Sequence, residues 1–155
     1  METLEHIISE HSFFAGLDQA FLNLVVGCAC NVRFEACTYI FEEGDEANVF
    51  YLIREGEVAL EIFAPAHEPI IVDRLGAGDV LGWSWLLPPF RWAFDAHART
   101  GLRAIALDGR YLRTKCEENH NVGYELFKRC AQIMERRLEA TRLQLLDLYG
   151  AGKVA

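Results

Sequence analysis

One short stretch of this chain, GWSWLLPPFRW from Gly82 to Trp92, holds all three of its tryptophans. An indole offers a broad apolar plane and a single N–H donor, and a guanidinium stacks on aromatic rings or pairs with an anion. Trp83, Trp85, Trp92 and Phe94, with Ser84 and Arg91 as polar handles beside Gly82, are therefore the candidate binding residues. The chemistry they offer is reversible binding of a small molecule of unknown identity, without bond making. The plainer reading is that the rings fill a core and hold no ligand.

No other residues suggest catalysis. Asp95, His97 and Arg99 alternate with Phe94, Ala96 and Ala98, so they are expected on the outer face of a strand, where charged residues are ordinary. His6, His11, His67 and His120 lack H-x-H or H-E-x-x-H spacing, and no metal or cofactor is expected. The cysteines at 28, 30, 37, 116 and 130 match no usual cluster spacing and read as reduced thiols. No nucleophile with an adjacent base appears, so an enzyme is the weakest class.

With 155 residues, about half of them hydrophobic, the chain has room for one domain and one extra element. No apolar run is long enough for a membrane span, and METLEHIISEH lacks the pattern of a secretion signal, so a cytoplasmic protein is expected. The formal charge of −8 opposes attraction to nucleic-acid phosphates. The basic pairs Lys128-Arg129 and Arg136-Arg137 stand among glutamates in a helical pattern and read as a solvated face.

Leu4 to Phe14 has the spacing of a short amphipathic helix, and Asp18 is a reasonable N-cap for a second through Ala29. From Asn31 the pattern turns to short β-type runs broken by turn residues: VRFEACTYIF, VFYLI, VALEIF and IIVDRL, with FDAHART and LRAIAL following the tryptophan stretch. Such spacing indicates an antiparallel sandwich or barrel. REGE reads as a hairpin turn with Gly56 at positive φ, and WSWLL has room for a turn or two of helix before Pro88.

Asp108 opens a third helical region, and Asn121 is a candidate cap for a final helix running to Tyr149. In that helix Phe127, Ala131, Met134, Leu138, Thr141, Leu145 and Leu148 form a heptad seam, while Leu126, Cys130 and Ile133 make a second apolar edge toward the body of the domain. Two apolar faces on one helix predict a homodimer. The alternative is that the seam packs on its own domain.

FFAGLD at 13–18, IFEEGDEANVFYLIREGEVAL at 40–60, RLGAGDVLGWSWLL at 74–87 and the final helix resemble the cyclic-nucleotide-binding domain, over almost the whole chain. The resemblance implies a mainly β fold with flanking α, a jelly-roll or double-stranded β-helix related to the cupins. It implies one unit over 1–155: N-terminal helices in 1–30, a β-roll in 31–107 with its phosphate cassette at 78–92, and C-terminal helices in 108–149. It further implies a regulatory role in signal transduction and pairing through the long helix, as in bacterial regulators of the catabolite-activator type. Those regulators continue into a helix-turn-helix. Only GAGKVA follows Tyr149, so no direct DNA contact is expected and another protein is a conceivable partner.

The family's cassette turns backbone N–H groups toward a phosphate, uses a glutamate after its glycine for the ribose hydroxyl, and an arginine for the phosphate charge. Gly82 matches the glycine. The glutamate position is Trp83, and the arginine position falls on Trp92, with Arg91 one residue early. Either a bulge turns Arg91 inward and an anion is retained, or Trp83, Trp92 and Phe94 face the cavity and nothing charged anchors a nucleotide. Losing both anchors removes contacts of roughly 1.5 to 3 kcal/mol each. Cyclic AMP is then not expected to bind in the usual mode.

Overall fold

The computed structural model describes residues 3–153, with side chains as far as Gly150. Two short helices lead, α1 (Leu4–Glu10) and α2 (Gln19–Val26). Seven strands follow: β1 (Ala29–Phe34), β2 (Tyr39–Phe41), β3 (Val49–Glu55), β4 (Val58–Ile62), β5 (Ile70–Leu75), β6 (Asp95–Ala98) and β7 (Leu102–Asp108). Helices α3 (Gly109–Glu118) and α4 (His120–Lys153) close the chain.

The strands form two antiparallel sheets in the orders β1-β7-β3 and β2-β6-β4-β5. Their inner faces, with Phe50, Leu52, Val58, Leu60, Ala96, Ala98 and Ile105 all but fully buried, make the core of a jelly-roll. The expected alternation in FDAHART is present: Ala96 and Ala98 point in, and Asp95 and His97 stay on the outer side. Gly56 has φ +106, and a Cβ there would meet the Gly101 carbonyl oxygen at 2.5 Å, so the β3–β4 hairpin requires glycine.

Several expectations need correction. Helix α1 stops at Glu10 instead of Phe14, because His11 leaves the helical conformation and buries its ring, taking the Phe13 amide on Nδ1 with Nε2 3.3 Å from the Ile53 carbonyl oxygen. Phe13 and Phe14 then enter the core from a turn. Helix α2 ends at Val26, and Ala29 already pairs with Leu107 in the sheet.

VRFEACTYIF is two strands in different sheets, separated where Cys37 takes φ +70. WSWLL forms reverse turns with no regular helix. Asn119 caps α4 in place of Asn121, its Oδ1 accepting from the amides of Asn121 and Val122. The final helix runs to Lys153, beyond Tyr149.

The basic pairs of α4 are not a solvated face either. Lys128 and Arg136 are exposed, but Arg129 and Arg137 fold back on the body of the domain. Arg129 donates to the carbonyls of Phe13 and Ala15, and Arg137 donates to the carbonyl of Val80. Leu126, Cys130 and Ile133 are buried as expected, while Phe127, Ala131, Leu138, Thr141, Leu145 and Leu148 of the seam are exposed and Met134 is half-buried.

Candidate functional site

The segment after β5 enters the roll through the bridge between Leu52 and Val80 and turns sharply at Gly82. A Cβ built on Gly82 would lie 3.3 Å from both Phe94 Cζ and Trp92 Cζ3, so the missing side chain is what lets these rings close over the backbone. Trp92 is buried, and its ring lies flat on Phe41 with centroids 3.8 Å apart and planes 5° apart. Phe94 tilts against Phe41 at 6.0 Å. Backbone hydrogen bonds from Gly44, Trp92 and Ala47 to the Trp92, Asp45 and Phe90 carbonyls clip this segment to the 44–47 turn.

Trp83 is half-buried and faces α4, where the Arg137 guanidinium carbon sits 4.9 Å from the ring centroid. Arg137 is the best-placed charge at the site. Its Nη2 donates to the Val80 carbonyl at 2.6 Å, its Nε lies 3.6 Å from Asp73, and its Nη1 is buried without an acceptor among the described residues. That Nη1 is 3.9 Å from where a Gly82 Cβ would be. Burial lowers the Arg137 pKa from its ordinary value, with Asp73 opposing.

Trp85 goes elsewhere. It is fully buried, stacked on Phe50 at 4.7 Å, and its N–H has no acceptor among the described residues. Arg113 of α3 donates to the carbonyls of Ala47 and Trp85 and to Asn48 Oδ1, and its guanidinium covers the Phe90 ring at 4.2 Å. Each C-terminal helix thus sends one arginine to the 82–92 segment.

The sequence pattern of the family described as "Cyclic nucleotide-binding domain" matches residues 31–119. The chain belongs to that family. A CRP-like cAMP-activated global transcriptional regulator of Mycobacterium tuberculosis is 23% identical over 94% of the chain, which spans 63% of that regulator's length.

Among solved structures, a cyclic nucleotide-binding protein from Geobacter metallireducens superposes with TM-score 0.78 at 25% identity, covering 88% of this chain and 99% of that one. A cyclic nucleotide-binding domain from Methylobacillus flagellatus gives 0.79 at 16% identity, covering 92% and 83%. The jelly-roll is the fold these domains share.

Within this cyclic-nucleotide-binding domain, the structure brings together Gly82, Trp83, Trp92 and Phe94 of the expected site residues. Ser84 is half-buried beside Trp83. Arg91 is not brought to the cluster: exposed, it donates to the Gly44 carbonyl at 3.1 Å and lies 3.9 Å from Glu46.

Two members of the cluster, Phe41 and Arg137, were absent from the sequence expectation. Arg137 had a legible signal, since it continues the buried edge Leu126, Cys130, Ile133 by one further helical step. The cysteines are all free, with Cys116 and Cys130 buried in the α3–α4 region, where burial pushes their thiols up to about 11 and about 12. Among the described residues, no three His, Cys, Asp or Glu side chains gather as a metal site, and no helix is long and apolar enough to cross a membrane.

Proposed function

We propose that this domain is a regulatory, ligand-sensing module whose phosphate cassette is altered, so that cyclic AMP is not held in the family's usual mode. The observation that carries this reading is Trp83 beneath Arg137. Where the family places a carboxylate, an indole that can accept no hydrogen bond stands in cation–π contact with an arginine from α4. The position of the phosphate-binding arginine is the buried Trp92, spent on Phe41.

Contact at 82–94 would reach the helices directly, because Arg137 on the Trp83 ring and Arg113 on the Trp85 carbonyl join that segment to α4 and α3. The module works as a homodimer through the exposed seam of α4, binds a small molecule, and passes its state to a protein partner. The tight packing of Trp92, Phe41 and Phe94 also favours a second reading, a ligand-free structural dimer with an aromatic-filled pocket. A small molecule retained through purification and seen by native mass spectrometry would exclude that reading.

The direct test of the cassette is Trp83→Glu. A glutamate there returns the missing acceptor next to Gly82 and within reach of Arg137, and is expected to raise cyclic-nucleotide affinity about tenfold or more over the native chain. Calorimetry showing no gain in a folded variant would sink the assignment of position 83.

A further inference from the structure

Outside the aromatic cluster, a cleft of about 340 Å³ opens between α4 and the 73–80 segment. That volume is within the range of small-molecule sites. Its walls carry Arg74, Arg129, Arg136 and Arg137 against two acids, Asp73 and Asp79. In a chain of formal charge −8 this is a local excess of positive charge.

Most of these groups are already engaged. Arg74 pairs with Glu57 at 3.2 Å, Arg129 with Glu125 at 3.4 Å, and Arg137 Nε with Asp73 at 3.6 Å. Asp79 accepts the Gly76 amide at 2.9 Å. What remains is the guanidinium of Arg136, with no hydrogen bond or ion pair among the described residues, and the orphaned Nη1 of its neighbour Arg137.

Two adjacent arginines on one helix repel each other, and a buried donor without an acceptor is costly. An anion at Arg136 relieves the repulsion directly. Gln132, one helical turn before Arg136 on the same wall, adds a neutral amide donor.

We propose that this cleft is an anion site, distinct from the 82–94 cluster, that takes a small molecule through its phosphoryl oxygens. A phosphoryl group presents several acceptors to donors arranged around it, which suits the planar fork of Arg136 at the rim, Gln132 beside it and Arg137 at the inner wall. Arg137 is the shared partition, its guanidinium lying on Trp83, so filling the cleft changes the environment of a tryptophan.

The test titrates the full chain at low salt with inorganic phosphate and, separately, with adenosine monophosphate, followed by tryptophan emission and calorimetry. Saturable binding that weakens about tenfold in Arg136→Gln and falls with added salt is the expected result. Binding of both probes assigns the site to the free oxyanion, and binding of adenosine monophosphate alone assigns it to a nucleotide-borne phosphate. Arg136 is exposed and has no partner among the described residues, so Arg136→Gln should melt like the native chain. No binding of either probe, or equal binding in the variant, overturns the proposal. Neither failure touches the cassette reading, which is tested with cyclic nucleotides at Trp83.

Discussion

Trp83 and Arg137 show how one side chain sets what its neighbour can do. A carboxylate at position 83 would have given Arg137 an ion pair. The indole gives it a face instead, and one guanidinium nitrogen is left buried without an acceptor. Another buried group sets a pH limit. His11 is nearly inaccessible, and burial lowers its pKa below the ordinary 6.5. The unfolded chain therefore binds the proton first as pH falls, so the stability His11 contributes is full above its unfolded pKa and is lost on acidification through its folded value. Melting temperatures across this range should drop on acidification in the native chain and drop less in His11→Gln. Equal slopes would contradict the assignment.

At the scale of elements, glycines, prolines and alternation made most strand positions legible, because turns with positive φ and two-faced strands leave marks in sequence. The break inside VRFEACTYIF left none. It rests on Cys37 at φ +70, a conformation that tertiary contacts impose on a residue with no preference for it, including the 2.7 Å hydrogen bond its amide donates to the Ala98 carbonyl. Helix ends that depend on a local competitor, such as His11, were hidden for the same reason. The cap of α4 was misplaced by two residues between chemically identical asparagines. Asn119→Ala should cost about 1 kcal/mol by urea denaturation, the usual loss for an N-cap, while Asn121→Ala should be close to neutral. The reverse order would restore Asn121 as the cap.

Across the whole molecule, the fold and the family were readable because motifs at 13–18, 40–60 and 74–87 mark turns that the roll cannot do without. The aromatic cluster proposed as the site was half readable. Gly82, Trp83, Trp92 and Phe94 converge, but Trp85 and Arg91 serve other packing, and Arg137 arrives from a helix far along the chain.

The same helix leaves Leu138, Leu145 and Leu148 uncovered. Sedimentation at micromolar concentration should give a dimer for the native chain and a monomer for Leu138→Glu. A monomeric native chain would contradict the seam.

An altered cassette can be checked by titrating cyclic AMP and cyclic GMP while recording tryptophan emission, since all three tryptophans lie between Gly82 and Trp92. With the cleft disabled by Arg136→Gln, an altered cassette gives a flat trace at micromolar nucleotide and no shift in melting temperature. A saturable change in that variant would mean that the 82–92 segment still holds a cyclic nucleotide, and that the cassette is intact.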